Sequence, residues 1–212
     1  MALETDCRFF VEAEKASEMA IDTFVLEQKD YIVGMRRYFH AHPEVSLKEF
    51  KTSARIEEEL DKVGIEHTRV GETGVYARVV GKKPVEGKAK IVALRADMDA
   101  LGMDDLKNCE YSSQNPGFCH ACGHDGHTAT LLAAARILKS MENDFAGEVR
   151  FFFQQAEEIG QGARQFVAAG LLEGVDRIYG QHVTNTLNVG QVGIVAGPLN
   201  ASCDFFRIDV KG

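Results

Sequence analysis

The hydrophobic pattern of the first third of the chain predicts two helices. Apolar residues recur at helical spacing from residue 5 to residue 41, where a proline-containing loop follows. Ser46 and Glu49 have the spacing of a capping box, which predicts that a second helix begins there and ends at Gly64. We expect residues 1–24 to form a helical extension in front of the main domain.

The rest of the chain alternates between short apolar strands and amphipathic helices. The strand predicted at Val149–Gln155 is apolar at most positions, as in sheets that are covered on both faces. The other predicted strands are residues 74–80, 90–95, 177–181, 190–196 and 205–210, and the predicted helices are residues 127–141 and 162–169. This alternation predicts an α/β fold with a mixed, mostly parallel sheet flanked by helices.

Composition and charge exclude several classes of function. The chain has 212 residues, a net charge of −8 and a pI near 5.4, and no run of Lys or Arg forms a basic stripe. Nucleic acid is therefore not an expected partner. No leader-like segment is evident at the start, no apolar run is long enough to span a bilayer, and the five cysteines are an odd number. We therefore expect no membrane partner, reduced thiols and a cytoplasmic location.

Polar side chains follow three of the predicted strands, at the edge where an α/β sheet binds its ligands. They are Asp97 and Asp99, Glu157 and Glu158, and His182. Cys122 and His124 lie in a glycine-containing loop before a predicted helix, so that both side chains can turn toward one ion. Cys, His and Glu are typical ligands of a zinc-like divalent ion. The sequence therefore predicts a metal site, with metal-assisted hydrolysis as its reaction class.

The carboxylates of this set suggest a division of tasks. Of the adjacent pair Glu157 and Glu158, one can bind a metal while the other takes a proton from activated water. Asp97 and Asp99 lie two positions apart, so their side chains point to the same side, where either could orient a ligand imidazole or cap a turn. The remaining candidates are expected to be structural or on the surface: His40, His42, His67 and His127.

Two other interpretations of the cysteines have to be weighed. Cys119 and Cys122 form a CxxC pair, which is typical of redox proteins, but here it does not follow a first strand and open a helix. Together with the His-Pro-Glu segment at residues 42–44, these cysteines also resemble the motifs of zinc nucleobase deaminases. Pro116 is not adjacent to Cys119 as that motif requires, and a deaminase would leave the carboxylate pair without a role.

Five ordered segments resemble the amidohydrolase branch of the aminoacylase/carboxypeptidase co-catalytic metallopeptidase family, which includes hippurate hydrolases, indole-acetyl-amino-acid hydrolases and N-acyl-amino-acid deacetylases. The segments are RRYFHAHPEVS with Glu49 and Thr52, LRADMDAL, HACGHDGHTATLL, FFFQQAEEIGQGA and VDRIYGQHV. The resemblance implies two divalent ions, of zinc or manganese type, and hydrolysis of the amide bond of N-acyl amino acids or small peptides by metal-activated water. It also implies the role of each site residue, with Glu157 as the general base and four metal ligands, Cys122, His124, Glu158 and His182.

The same resemblance implies a catalytic domain with an inserted dimerisation domain, and a homodimer for the complete protein. Residues 25–200 are then expected to be the N-terminal part of the catalytic domain, and residues 201–212 the first strand of the inserted one. The chain departs from the family pattern at four positions where proline, glutamate, methionine and proline are usual: Gly102, Asp105, Cys119 and Gln155. Since the family's last metal-binding His is not among these residues, a metal-binding fragment without activity is the alternative expectation.

Overall fold

The computed structural model describes residues 9–11, 20–199 and 206–212 of the chain. It divides into two compact units, of which the larger comprises Ala20–Val183 and the smaller comprises the segments on either side. Of the helices that the structure describes, none is both long and apolar enough to cross a membrane.

The secondary-structure elements alternate along the larger unit. The helices are α1 (Ala20–Glu27), α2 (Lys29–Ala41), α3 (Phe50–Asp61), α4 (His124–Ser140) and α5 (Gly162–Ala168). The strands are β1 (Phe9–Val11), β2 (Glu66–Val70), β3 (Gly74–Lys82), β4 (Ile91–Asp97), β5 (Ala146–Gln154), β6 (Arg177–Gly180) and β7 (Val192–Ile194). In the smaller unit, β1 pairs with β7 in antiparallel fashion.

The larger unit is built on a five-stranded sheet with the strand order β2-β3-β5-β4-β6. Strand β4 runs parallel to its neighbours β5 and β6, whereas β3 is antiparallel to both β2 and β5. The predicted α/β class with a mixed sheet and flanking helices is confirmed. Because β4, β5 and β6 run in the same direction, the polar residues that follow them lie at the same edge of the sheet.

Strand β5 separates two hydrophobic clusters. Phe151 and Phe153 pack with residues of α2, α3 and α4 in the main core. Phe152 points to the opposite face, where its ring lies 5.3 Å from that of Phe166 in α5. The three consecutive phenylalanines of this strand are thus explained, since both of its faces are covered.

The start and end of the chain differ from the sequence prediction. The helix predicted from residue 5 to residue 41 is wrong at Phe9–Val11, which form β1, and within the described residues it begins at Ala20. No strand was predicted at Glu66–Val70, because only Val70 is buried there and the segment has no apolar face to detect. The strand predicted at residues 205–210 is also wrong over its described part, 206–210, while residue 205 lies outside the described residues. The predicted domain boundaries near residues 24 and 200 stay predictions.

The predicted capping box before α3 is wrong. Helix α3 begins at Phe50, and its N-terminus is capped by Glu44, whose carboxylate accepts the backbone N–H of Thr52 at 2.8 Å and the Thr52 hydroxyl at 2.9 Å. Ser46 and Glu49 are directed away from the helix and toward the end of the sheet that carries the polar residues. The α2–α3 loop therefore supplies side chains to the candidate site and not only to its own helix.

Candidate metal centre and active site

Cys122, His124 and His182 form one side of a cluster at the carboxyl end of the parallel strands. Their potential ligand atoms lie within 4.8 Å of one another, and the Cys122 sulfur is 3.3 Å from Nε2 of His182. Gly123 between the first two has a φ of 88°, a left-handed conformation that glycine adopts freely, and a Cβ there would overlap the side chain of Val183. Glycine is therefore required for this loop to pass so close to the segment that follows β6.

Glu157 and Glu158 form the other side of the cluster. Nε2 of His124 lies 3.8 Å from Oε2 of Glu157 and 3.8 Å from Oε1 of Glu158. The Glu157 side chain is 39% exposed, the Glu158 side chain 21%, and His124 is fully buried. The structure thus brings together the five side chains that the sequence selects as ligands and base.

Two buried atoms of the cluster lack hydrogen-bond partners among the described residues. Within the part of the chain that the structure describes, the buried Nε2 of His124 and Oε1 of Glu158 have no hydrogen-bond partner. A buried polar atom without a partner costs roughly 1–3 kcal/mol, and these two face each other. A divalent ion would satisfy both, and thiol, imidazole and carboxylate are the donor types that zinc-like ions accept. The residues present therefore fit a metal ion.

Asp99 orients His124. The backbone oxygen of Asp99 lies 2.9 Å from Nδ1 of His124, and its Oδ1 lies 3.3 Å away. Its Oδ2 accepts hydrogen bonds from the Ser46 hydroxyl at 2.7 Å and from the backbone N–H of Glu158 at 3.0 Å. Burial raises the pKa of Asp99, but these partners outweigh it, so that the pKa lies below its usual value. Asp99 thereby fixes the imidazole with Nε2 directed at the cluster.

Asp97 orients a second buried histidine, His127. Oδ1 of Asp97 lies 2.5 Å from Nδ1 of His127, and Arg95 donates to Oδ2 at 2.8 Å. Burial raises the pKa of Asp97, but His127 and Arg95 lower it by more than burial raises it, so that the pKa is about 2. Nε2 of His127 accepts the backbone N–H of Val183 at 2.9 Å, and its ring centroid is 4.6 Å from that of His182.

The expectation that His127 is structural or on the surface is therefore incomplete, because the structure buries it within the site. It holds the segment that carries His182. Its position three residues after His124 places it on the same face of α4, and this helical spacing is the signal that could have identified it.

Two acidic groups of the cluster, Cys122 and Glu158, have raised pKa values. Burial, followed by Glu158 and Glu157, raises the pKa of the Cys122 thiol to about 12. The pKa of Glu158 is also raised, first by burial and also by the neighbouring Glu157, although His124 opposes this. The Cys122 thiol would thus hold its proton in the absence of a cation, and a divalent ion would take the place of that proton.

A further group of possible ligands comprises His40, Asp105 and Cys119. Its atoms already have partners, since Nδ1 of His40 lies 2.6 Å from a carboxylate oxygen of Asp125. Asp105 accepts the backbone N–H groups of Lys107 and Ser113, and the Lys107 ammonium lies 3.4 Å from Nε2 of His40. This group therefore ties the long loop before α4 to α2 and needs no ion.

The geometry gives no support to the two other interpretations of the cysteines. Cys119 and Cys122 are both free thiols and lie in different groups of side chains, which argues against a redox pair. In the 42–44 segment, Glu44 caps α3 and Nδ1 of His42 donates to the backbone oxygen of Tyr38, so neither contributes to the cluster as a deaminase would require.

Comparison with known proteins identifies relatives of the chain. The profile of Peptidase family M20/M25/M40 matches residues 93–211, more than half of the chain. The chain is 44% identical over 194 residues to an N-acyl-L-amino acid amidohydrolase of Geobacillus stearothermophilus, covering 91% of this chain and 51% of that protein. It is 46% identical over 184 residues to the IAA-amino acid hydrolase ILR1-like 4 of Arabidopsis thaliana, covering 86% and 41% of the two chains.

A solved structure agrees with these relatives. The fold is similar to that of the Bacillus subtilis YXEP protein, a dinuclear metal binding peptidase, with a TM-score of 0.71 and 38% identity over 79% of this chain and 46% of that one. The chain spans about half the length of the curated relatives it matches. The family match, the sequence identities and the shared fold lead to one conclusion: the chain belongs to peptidase family M20/M25/M40.

Proposed function

We propose that this chain is part of a metal-dependent amidohydrolase that cleaves the amide bond of N-acyl amino acids or small peptides. The observation that carries the proposal is the buried cluster in which Nε2 of His124 and Oε1 of Glu158 lack partners among the described residues. The substrate class follows from the relatives, one of which is an N-acyl-L-amino acid amidohydrolase and another an N-acetyl-L-cysteine deacetylase of Bacillus subtilis. Since the chain spans about half of these proteins, the proposal concerns the whole protein.

Four residues would hold metal in this proposal: Cys122, His124, Glu158 and His182. Two divalent ions of zinc or manganese type are proposed, because the Bacillus subtilis relative binds two metals and a sulfur ligand disfavours magnesium and calcium. When bound, such ions polarise an amide carbonyl and lower the pKa of water. Asp97 and Asp99 keep His127 and His124 oriented.

Glu157 is proposed as the general base. Its side chain is more exposed than that of Glu158, and its Oε2 still lies 3.8 Å from Nε2 of His124. It can therefore accept a proton from an attacking water and later deliver that proton to the leaving amine. The more buried Glu158 is better placed to bind the ion.

Replacement of the base tests this assignment. In the whole protein, Glu157→Gln is expected to lower kcat by roughly 10²–10⁴-fold, because proton transfer is lost while the ligands remain. Metal content, measured by atomic emission, should stay close to that of the wild type. Glu173→Gln, at an exposed glutamate outside the cluster, is the matched control and should keep both properties. Near-normal turnover of Glu157→Gln with N-acetyl and N-benzoyl amino acids would show that the base is another group.

A metal-binding fragment without activity is the second candidate for the 212-residue chain itself. The observation that favours it is the coverage of about half of each relative. Turnover by residues 1–212 at the rate of the whole protein would exclude it. For the whole protein we further propose a homodimer, from the family resemblance, and a reducing compartment, since Cys109, Cys119 and Cys122 are free.

A further inference from the structure

Glu49 is a buried carboxylate that reaches the site from outside the sheet. It lies directly before α3 and is fully buried. Its Oε1 accepts the backbone N–H of Ala156 at 2.8 Å, and its Oε2 accepts the hydroxyl of Thr73 at 2.7 Å. Burial raises the pKa of Glu49, and a buried polar group is costly unless it is hydrogen-bonded, so a carboxyl group here calls for a function that an apolar side chain would not serve.

Ala156 has an unusual backbone conformation. Its φ is 50°, in the left-handed region that alanine enters only at a cost. Its carbonyl oxygen accepts the N–H groups of Gln161 at 3.1 Å and Gly162 at 3.2 Å, which closes a tight turn after β5. Glu157 and Glu158 are the first residues of this turn, so the conformation of Ala156 sets the direction in which both carboxylates leave the strand.

The backbone amides on either side of Glu157 are each held by a carboxylate. The N–H of Ala156 donates to Glu49, and the N–H of Glu158 donates to Asp99 at 3.0 Å. Asp99 is in turn fixed by the hydroxyl of Ser46, which belongs to the same α2–α3 loop as Glu49. One loop thus secures both neighbours of Glu157.

We propose that Glu49 is a positioning residue, whose carboxylate holds Ala156 in its left-handed conformation and so places Glu157 and Glu158 beside His124. The catalytic consequence rests on the proposed function, whereas the effect on the backbone of Ala156 does not. Among the described residues, the Glu49 carboxylate is hydrogen-bonded to Ala156 and Thr73 and not to any of the four proposed ligands.

Two substitutions at Glu49 separate its hydrogen bond from its charge. In Glu49→Gln the amide oxygen still accepts the N–H of Ala156, and the amide nitrogen donates to the hydroxyl of Thr73. In Glu49→Ala the N–H of Ala156 loses its acceptor. In the whole protein we expect Glu49→Ala to lower kcat roughly tenfold or more with KM changed less than about twofold, and Glu49→Gln to recover most of that loss. Glu58→Ala, at an exposed position of the same helix, is the matched control.

A second pair of variants separates positioning from a general loss of core structure. Glycine enters the left-handed region freely, so Ala156→Gly in the Glu49→Ala background is expected to restore part of the lost kcat. Thr73→Val removes the other partner of the same carboxylate and should retain far more of kcat than Glu49→Ala. Equal losses of kcat in Thr73→Val and Glu49→Ala would overturn the proposal. So would a failure of Ala156→Gly to restore kcat in the Glu49→Ala background.

Amide hydrogen exchange of the 212-residue chain supplies a readout without catalysis. The Ala156 amide should be protected in the wild type and in Glu49→Gln, and should exchange at least tenfold faster in Glu49→Ala. Unchanged protection in Glu49→Ala would overturn the positioning role, whatever the activity. If the Ala156 amide exchanged faster in Glu49→Ala but the whole protein had no amidohydrolase activity, the positioning role would stand and only the proposed function would be contradicted.

Discussion

The two ring nitrogens of His124 have different surroundings. Nδ1 is held by Asp99, while Nε2 faces carboxylates and has no hydrogen-bond partner among the described residues. Asp99, chiefly through its backbone oxygen, thus determines which nitrogen is left for an ion. Cys122 beside it is in contact with His182, whereas Cys119 lies with His40 and Asp105. Two cysteines three positions apart therefore belong to different environments.

This difference predicts unequal effects of two serine substitutions on metal affinity. Cys122→Ser should weaken zinc binding more than tenfold, a loss above about 1.4 kcal/mol, because a soft ligand is removed from the cluster. Cys119→Ser should leave the affinity within about twofold of the wild type. Competition with a chelating dye measures both. Equal losses would contradict the separation and favour a joint CxxC site.

At the scale of elements, His40 of α2 contacts two carboxylates, Asp105 in the long loop before α4 and Asp125 in α4 itself. Hydrogen bonds from the backbone N–H groups of Ser113 and Lys107 lower the pKa of Asp105 to about 2. Burial raises the pKa of Asp125, but His40 and Arg36 outweigh it and the pKa lies below its usual value. Both carboxylates are therefore more stable as anions in the folded chain than in the unfolded one.

Acid should accordingly weaken this attachment. An aspartate with a lowered folded-state pKa contributes stability above its unfolded pKa, near 4, and loses it as the pH falls toward 2. We expect Asp105→Asn to lower the free energy of unfolding by about 1–2 kcal/mol at pH 7, with a smaller difference at about pH 3. Urea unfolding at both pH values measures this, with the exposed Asp144→Asn as the control. If Asp105→Asn lowered the free energy of unfolding equally at both pH values, the loss would come from altered packing or hydrogen bonding and not from the charge of Asp105.

Elements with a strong local pattern could be predicted from the sequence, and the others could not. The strand β5 is predictable because three consecutive phenylalanines, Phe151–Phe153, place apolar side chains on both of its faces. The helix α4 is predictable because small apolar residues recur along it, although it begins at His124 and not at His127. The strand β2 has a single buried residue, so it is defined by its pairing with β3. The spacing of Ser46 and Glu49 fitted a cap, but their partners Asp99 and Ala156 lie 53 and 107 positions away, where no local pattern can indicate them.

At the scale of the whole molecule, the candidate metal cluster joins the ends of the strands β5 and β6 and the start of the helix α4. An ion bound there would stabilise only the folded chain, because these side chains are far apart in the unfolded one. Removal of metal should therefore lower the melting temperature, by an amount that corresponds to about 2.7 kcal/mol when free metal is 100 times its dissociation constant. Calorimetry with and without a chelator measures the shift. In Cys122→Ser the shift should be smaller, and an equal shift there would place the stabilising ion elsewhere.

The hydrogen bonds that fix the site link residues 53, 59 and 107 positions apart. Closing loops of this length costs conformational entropy, and the contacts offset that cost only once the loops are closed. Such contacts are therefore expected to form late when a chain folds. The α2–α3 loop, the end of β4 and the turn after β5 must all be in place before the five side chains can meet. The centre is consequently a product of completed folding, and a partly folded chain offers an incoming ion only scattered single ligands.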